Sequence, residues 1–296
     1  MKEGMLPVYN IDTFNPHCQE KDFYANTLSN HFKNHDFIFI PHKHDFYLVM
    51  MCTKGSGSHW IDFVRYDVKP GSIFLLSPGQ GHSWTLSEDI EGYIFFHSKE
   101  FYELNFTSNK LLDYPFYCSI YNSPVLMLNE ETLRKEEIIF KEIVTEYRNR
   151  ELMKFNRLFT LVELLYIDVL RLYITLEHIQ SQNQSYLIKL RELEELIDNN
   201  FKTIKSPTQY AEKMFVTAKQ LNRICKETLN KSTSDLTFDR IILEAKRLLA
   251  HSSYTIPEIA EKLGYTDISY FSRLFKKRTG KTPLSFSREF SVYQYS

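Results

Sequence analysis

The sequence predicts an α+β protein of several domains: an N-terminal β-barrel, a helical segment and an all-α C-terminal domain. Short segments rich in β-branched and aromatic residues, separated by glycine turns, occupy residues 37–96. Helical periodicity replaces them from about residue 129, and two similar helical segments recur after residue 187. We therefore place the domains at 1–128, 129–180 and 187–296, with 181–186 as a linker.

The composition is that of a chain that folds around a core. Of the 296 residues, 43% are hydrophobic and 25% are charged, which excludes a disordered or collagen-like chain. No apolar run is long enough to cross a bilayer, and no signal sequence begins the chain, so we expect no membrane contact. The four cysteines form no C-x-x-C pair, which predicts neither a zinc knuckle nor a redox motif and favours a cytoplasmic protein.

The charge is distributed unevenly along the chain. Residues 1–183 carry 17 Lys and Arg against 24 Asp and Glu, whereas residues 184–296 carry 19 against 13. Such an asymmetry indicates that the C-terminal part meets a polyanion while the N-terminal part does something else.

The strand signals lie in the first hundred residues. Turn-forming sequences follow at residues 54–57, 69–71 and 77–81. Short strands at such regular spacing are typical of a small barrel or sandwich. The predicted strands are residues 36–40, 47–51, 58–64, 72–76 and 92–96. Before them, an aromatic N-terminal arm carries Tyr9, Phe14, Phe23 and Tyr24.

A long helix is predicted over residues 158–179, because apolar residues recur there at alternating spacings of four and three. This stripe can face the same helix of a second copy, giving a homodimer, or it can lie on the chain's own barrel. A second apolar edge is formed by Leu161, Leu164 and Ile167. The stripe comprises Leu158, Val162, Leu165, Val169, Leu172, Leu176 and Ile179.

The C-terminal region contains an internal repeat. Residues 211–214 (Ala-Glu-Lys-Met) return as 260–263 (Ala-Glu-Lys-Leu), and residues 221–226 return as 271–276. The offsets are 49 and 50, so the second copy has one more residue in its turn. Each copy is a predicted helix–turn–helix unit, at about 206–228 and 255–279.

Sequence signals at the helix ends support these boundaries. Capping boxes are predicted from Ser206 to Gln209 and from Thr255 to Glu258, and each helix has proline in its first turn. Asn230 and Gly280 occupy equivalent positions where a left-handed residue can end a helix.

The second helix of each unit is the predicted recognition helix, whose first residues reach base edges in the major groove. Further Lys and Arg residues follow along the recognition helix of the second unit and suit phosphates. Phosphate contacts position a protein without reading sequence. Leu221, Ile224, Phe271, Leu274 and Phe275 should lie on the opposite, buried face. The candidate DNA-binding residues are Lys219, Asn222, Arg223, Ile268, Ser269, Ser272, Arg273, Lys276, Lys277 and Arg278.

Residues 264–283 (Gly-Tyr-Thr-Asp-Ile-Ser-Tyr-Phe-Ser-Arg-Leu-Phe-Lys-Lys-Arg-Thr-Gly-Lys-Thr-Pro) resemble the signature of the AraC family of bacterial transcription regulators. The resemblance covers about 100 residues and both helix–turn–helix units. In the first unit Cys225 replaces a usual aromatic, and Phe215 and Val216 replace a turn of small residues. Residues 41–44, 55–57 and 70–82 resemble the N-terminal cupin barrel of the same family.

The resemblance implies a DNA-binding transcription regulator controlled by a small molecule, such as a sugar or related metabolite, held in a cupin-like barrel. Its implied partners are double-stranded DNA, the effector and a second copy of the chain, with RNA polymerase as a further candidate. Aromatic rings stack on planar ligand faces, and Lys and His fix polar groups. The candidate effector-binding residues are His42, His44, Lys54, His82, Trp84 and Tyr93.

Two alternatives remain at this point. His42, His44 and His82 are types that hold zinc, iron or manganese, so a metal-dependent cupin enzyme fused to DNA-binding helices is one. Leu48, Val49 and Leu86 stand where enzymatic cupins have further polar ligands, so we expect no metal, cofactor or catalytic residue. The other is an effector-independent protein whose barrel only dimerises; an interior filled by its own side chains would favour it.

Overall fold

The computed structural model describes residues 6–14, 21–103, 111, 114–118, 121–176 and 184–292. The chain divides near residue 180 into two compact units. We call the first, within residues 7–179, the sensor unit, and the second, from residue 184 onwards, the helical unit. In the described ranges, no helix is both long and apolar enough to pass through a membrane.

Within its described residues, the sensor unit contains ten strands in three sheets. The five-stranded sheet has the order β10-β7-β4-β9-β2, the three-stranded sheet has the order β6-β5-β8, and β1 pairs with β3. The described strands thus form layered sheets, and their pairings do not run round a closed ring. The strands are β1 (Val8–Tyr9), β2 (Phe23–Thr27), β3 (Lys43–His44), β4 (Tyr47–Lys54), β5 (Gly57–Ile61), β6 (Val64–Val68), β7 (Ser72–Leu76), β8 (His82–Leu86), β9 (Glu91–His97) and β10 (Val125–Met127).

The part of the sensor unit that the structure describes also has five α-helices and two short 3₁₀ helices. The 3₁₀ helices span Ile11–Thr13 and Asp36–Phe39. Asn129 caps the fourth helix by accepting a hydrogen bond from the Thr132 amide, which explains why helix replaces strand at this point. The α-helices are α1 (Leu28–Asn34), α2 (Lys99–Glu103), α3 (Pro115–Cys118), α4 (Glu130–Arg148) and α5 (Lys154–Leu176).

Alternation along the strands produces two cores, one on each face of the five-stranded sheet. Leu48 and Met50 of β4 point into an interior core shared with Trp84 of the three-stranded sheet. Val49 and Met51 point the other way, into an outer core that includes α4 and α5. The sheet is therefore buried on both faces, which accounts for the nearly continuous apolar run of β4.

The apolar stripe of α5 belongs to this outer core. Leu158, Val162, Leu165 and Val169 are all 0% exposed within one chain, because they pack on its own sheet. Of the two arrangements open to this stripe, packing on the chain's own sheet is the one observed. Leu176 is described only in its backbone, and Ile179 lies outside the described residues.

The strand predictions were partly wrong. Residues 72–76 coincide with β7, but the predicted strand at 36–40 is a 3₁₀ helix at Asp36–Phe39. The predicted strand at 58–64 is two strands, because Asp62 and Phe63 both take positive φ and turn the chain into a hairpin. Strands β2, β8 and β10 were missed, since pairing with distant strands rather than local sequence defines them.

The N-terminal arm is only partly an arm. Phe23 and Tyr24 lie in β2, which pairs with β9 at the edge of the five-stranded sheet, so the expectation was wrong for these residues. Tyr9 precedes the first 3₁₀ helix and lies in β1, parallel to β3. Phe14 is buried in the interior core, 4.9 Å from the ring of Phe96. The described arm is therefore packed against the sheets.

The helical unit confirms the repeat. The first helices of the two units have seven residues each, and the recognition helices α8 and α11 have twelve each. Four residues separate the helices in the first unit and five in the second, as the change of offset predicts. The helices are α6 (Gln184–Asn200), α7 (Pro207–Lys213), α8 (Ala218–Leu229), α9 (Thr233–His251), α10 (Ile256–Lys262), α11 (Ile268–Thr279) and α12 (Pro283–Val292).

Most of the predicted helix ends are confirmed. Thr255 and Glu258 form the reciprocal capping box, and Asn230 and Gly280 end α8 and α11 in the left-handed conformation. The box at Ser206 was wrong: Pro207 opens α7 as expected, but the Ser206 side chain accepts no capping hydrogen bond.

The second helix–turn–helix unit is fastened to the end of α6. Lys205 Nζ donates to the carbonyl oxygens of Lys202 at 2.9 Å and Leu263 at 3.0 Å. Gly264 follows with φ +76°, and a Cβ there would lie 1.9 Å from the Lys202 oxygen. Only glycine permits this approach, so α6 and the second turn hold one fixed arrangement.

Candidate DNA-binding surface and effector site

The recognition helix α8 exposes part of the predicted DNA-binding set. Thr217 caps the helix by accepting from the Gln220 amide, while Leu221 and Ile224 are buried on the opposite face. Lys219 and Arg223 are exposed on the outer face. Asn222 is half-buried, and its Oδ1 accepts a hydrogen bond of 3.3 Å from the Thr233 amide at the start of α9.

The recognition helix α11 repeats this arrangement. Asp267 caps it by accepting from the Tyr270 amide, and Phe271 and Phe275 are fully buried. Leu274, predicted to be buried, is only half-buried. The outer face exposes Ile268, Ser269, Arg273, Lys276 and Lys277, and Ser272 is half-buried beside them.

Arg278 differs from the other cations of α11. Its guanidinium is 2.8 Å from the Asp235 carboxylate and 3.4 Å from that of Asp239, so it joins α11 to α9. Hydrogen bonds from Ser232, followed by the Arg278 guanidinium, hold the pKa of Asp235 well below its usual range. Arg278 is therefore engaged within the protein, whereas Lys276 and Lys277 remain exposed.

Sequence reasoning missed Tyr270. It lies beside Ser269 in the first turn of α11, and its side chain is 45% exposed. The signal was present, because positions 269, 270 and 273 share the face opposite Phe271 and Phe275 in a helix of 3.6 residues per turn.

The predicted effector-binding residues fall into two separate groups. His42, His44, His82 and Trp84 meet in the interior core, where His59 of β5 joins them. Lys54 and Tyr93 lie instead at the far ends of β4 and β9. Lys54 is exposed there and pairs with Glu91 at 3.0 Å, while the Tyr93 hydroxyl donates to Glu137 at 3.4 Å.

The interior group is a buried histidine cluster. His42 and His44 each donate from Nδ1 to a backbone carbonyl at 2.8 Å, and His59 Nε2 lies 2.9 Å from His82 Nδ1. The Trp84 ring stacks on His59 with centroids 3.3 Å apart. His59 was missed, although its alternation with Ile61 along β5 predicts an inward position.

Burial controls the protonation of this cluster. Loss of hydration lowers the pKa of His42 to about 4 and, with the nearby His42, that of His44 to about 3. The same cause places the pKa values of His59 and His82 well below the ordinary value. The four imidazoles are therefore neutral at pH 7. Over the described residues, no three His, Cys, Asp or Glu side chains are arranged to hold a metal ion.

Buried apolar side chains of the described residues occupy the interior around the histidine cluster. Space for a ligand is found at the edge of the sensor unit, in a cavity of about 520 Å³ that we call the rim cavity. Its wall is formed by α1, the second 3₁₀ helix, the β8–β9 loop and the adjoining ends of β4, β9 and α4. The lining residues are Thr27, Ser29, Phe32, Lys33, Phe39, Thr53, Leu86, Ser87, Glu88, Asp89, Ile90, Glu91, Gly92, Tyr93 and Glu137.

Comparison with known protein families gives one match in each unit. The AraC-like ligand binding domain matches residues 27–104, and a helix-turn-helix domain matches residues 210–289. The chain belongs to the AraC family of transcription regulators. It is an effector-controlled, DNA-binding regulator of transcription, and its α+β two-domain fold is that of the family.

The relatives cover most of the chain. The HTH-type transcriptional activator RhaR of Yersinia pestis is 23% identical over 257 residues, which are 85% of this chain and 86% of the relative. RhaR of Cronobacter sakazakii is 23% identical over 255 residues, 83% of this chain and 86% of that one. Both relatives are named as transcriptional activators.

Matches among solved structures include ToxT from Vibrio cholerae, which is 15% identical with a TM-score of 0.45 over 90% of this chain and 98% of its own. The C-terminal domain of AraT from Geobacillus stearothermophilus is 31% identical with a TM-score of 0.32, over 34% of this chain and 84% of its own.

Proposed function

We propose that the chain is a cytoplasmic transcription activator that reads two successive major-groove segments through α8 and α11. The observation that carries this is the pair of matching twelve-residue helices, each with its apolar face buried and cations exposed on the opposite face, where α11 adds the hydroxyls of Ser269 and Tyr270. Successive grooves lie about 34 Å apart on one side of a duplex, so the two helices read one continuous site. RNA polymerase is the partner through which an activator of this class would act.

Within this surface, we assign base reading to Arg223 and phosphate binding to Lys277. Arg223 lies in the second turn of α8, near the end that enters the groove, and arginine pairs with guanine edges. Lys277 lies near the end of α11, where a lysine meets the phosphate backbone as a point charge. Lys219, Ser269, Ser272 and Arg273 complete the proposed base-reading set, and Ile268 suits a thymine methyl group.

Arginine and lysine substitutions test this assignment. We expect Arg223→Ala to cost about 1–3 kcal/mol on a duplex selected for tight binding and much less on random DNA. Lys277→Ala should weaken both complexes alike and reduce the dependence on salt. Binding is measured by fluorescence anisotropy at several salt concentrations, with Arg150→Ala in the sensor unit as a control of equal charge change. An equal loss on both duplexes for Arg223→Ala would make it a phosphate contact.

We further propose that the protein acts as a homodimer through the outer face of α5. The stripe at Leu165 and Val169 is occupied by the chain's own core, but Leu164 is 46% exposed and Ile174 is 44% exposed. Leu161 and Ile167 lie half-buried along the same edge. A second copy laid on this edge would remove exposed apolar surface from water, which favours association.

The effector is proposed to bind in the rim cavity rather than among the interior histidines. Tyr93, at the far end of β9, lines the rim cavity, whereas Trp84 and His82 are enclosed by neighbouring rings. A ligand there would touch α1 and the second 3₁₀ helix. The N-terminal arm reaches the same region, because the Phe14 ring packs against the rings of His31 and His35. We propose that the arm transmits ligand binding by changing how Phe14 packs.

A further inference from the structure

The charge of the rim cavity is strongly one-sided. Four carboxylates line it, from Glu88, Asp89, Glu91 and Glu137, whereas Lys33 supplies the one ammonium among its described lining residues. The nearby Lys54 neutralises Glu91, with which it pairs at 3.0 Å, so the other three carboxylates face the ammonium group of Lys33 among the described lining residues. An anionic ligand would meet net repulsion here, and a cation would meet net attraction.

Two of the carboxylates are available to a ligand. Glu88 and Asp89 form the exposed turn between β8 and β9, and neither lies within 4 Å of a lysine, arginine or histidine nitrogen in the described part of the chain. Glu137 is fixed differently, because it accepts the hydrogen bond of the Tyr93 hydroxyl at 3.4 Å. Burial, followed by Glu137, raises the pKa of Tyr93, so the phenol stays neutral and remains a donor.

The wall supplies rings and hydroxyls beside these charges. Phe32 and Phe39 lie with ring centroids 5.7 Å apart, and Tyr93 adds a third ring. Aromatic faces attract ammonium groups, and more strongly where water is partly excluded. The Thr27 hydroxyl oxygen is buried and has no hydrogen-bond partner among the described residues, which leaves one polar group of the wall unsatisfied.

We propose that the effector is a small organic cation, an amine or ammonium compound, whose charge lies between the Glu88–Asp89 turn and the aromatic wall. The inference rests on the proposed function, because it names the chemical class of the effector at that site. A cavity of about 520 Å³ suits a molecule of metabolite size. A neutral sugar would satisfy the hydroxyls of this wall but would leave the carboxylates without a counter-charge.

Sugars that share one ring and differ in charge test whether the cavity prefers a cation. Glucosamine, glucose and glucuronate carry positive, neutral and negative charge, and tetramethylammonium is a cation without a sugar ring. The full chain is titrated with each by calorimetry, at low and high salt. We expect both cations to bind, glucosamine about tenfold more tightly than glucose, with affinity falling as salt rises. Binding of glucose or glucuronate as tight as that of glucosamine, or binding of neither cation, would overturn the proposal.

Charge-neutralising variants locate the site. Glu88→Gln combined with Asp89→Asn should weaken tetramethylammonium binding about tenfold, because it removes the two exposed carboxylates of the β8–β9 turn. Glu131→Gln, which neutralises one exposed carboxylate outside the cavity, is the control and should leave cation binding unchanged. Unchanged cation binding in the double variant would show that the cation binds elsewhere.

Binding to the selected DNA is measured on the same preparations. If the wild-type chain does not bind the selected DNA more tightly than random DNA, the proposed function is wrong. Specific DNA binding without cation binding would overturn only the class of effector proposed for the rim cavity.

Discussion

At the scale of single residues, the sensor unit depends on histidines that must stay uncharged. His42 and His44 each donate to a backbone carbonyl, which fixes the tautomer with the proton on Nδ1. The buried Nε2 atoms of His44 and His82 have no hydrogen-bond partner among the described residues. Protonation would place charge in the apolar interior around Trp84, where hydration cannot compensate it.

The sensor unit should therefore lose stability in mild acid. The unfolded chain takes up protons near pH 6.5, whereas His42 and His44 in the fold do so only at about 4 and about 3. The stability that depends on neutral His42 and His44 is fully present above pH 6.5. It is lost as the pH falls from 6.5 towards the folded pKa values of about 4 and about 3. Acidification from pH 7 to pH 4 should lower the free energy of unfolding by about 3 kcal/mol through His42 alone.

Tryptophan fluorescence can measure this loss in the whole chain, because both tryptophans, Trp60 and Trp84, lie in the sensor unit. Urea titrations between pH 7 and 4 give the free energy of unfolding. In His44→Asn, whose amide can replace the bond to the Phe46 carbonyl, the slope should fall by about 1.4 kcal/mol per pH unit. His251→Asn in the helical unit is the control. A slope unchanged by His44→Asn would contradict the protonation argument.

At the scale of elements, the turns of the two helix–turn–helix units have the same backbone conformation but place different residues in it. Phe215 and Gly264 occupy equivalent positions, with φ of +54° and +76°, and each amide bonds to the carbonyl three residues back. Gly264 lies against α6, whereas the Phe215 side chain is 96% exposed. Phe215 thus carries the strain of the left-handed region without any compensating burial.

Opposite changes at these two positions should have opposite effects. Gly264→Ala should destabilise the helical unit by more than about 2 kcal/mol, because a methyl group would overlap the Lys202 carbonyl and take positive φ. Phe215→Gly should be neutral or stabilise it by up to about 1 kcal/mol, since strain is relieved and no contact is lost. Thermal melts followed by circular dichroism measure both. Destabilisation by Phe215→Gly would mean that Phe215 packs against something in the native chain.

At the scale of the whole molecule, regulation requires the sensor unit to favour one arrangement of the protein over another. Linkage demands that DNA change effector affinity by the same factor as the effector changes DNA affinity. In a dimer, joining two DNA-binding units also raises affinity for paired sites through effective concentration. The outer edge of α5 is the surface on which we expect this joining to depend.

Adjacent residues on α5 separate dimerisation from folding. Leu164→Glu should leave the sensor unit folded but give monomers and weaken binding to paired sites, because Leu164 faces outward. Leu165→Glu should instead cost about 3–5 kcal/mol of stability, since it buries a charge in the outer core. Sedimentation and urea titration distinguish the two outcomes, with Ile138→Glu on the exposed face of α4 as control. A wild-type chain that sediments as a monomer would disprove the dimer.

Local sequence signals specify most of the helical unit. Repeat offsets, helix caps and a helical apolar period are local signals, so they located both recognition helices and the left-handed ends at Asn230 and Gly280. Tertiary structure decided the sensor unit, because strand pairing joins residues far apart in sequence. Thus β2 came from the supposed arm, and His59 completed the cluster of His42, His44 and His82. The rim cavity arises where Thr27, Tyr93 and Glu137 meet, and no local pattern links residues so widely separated.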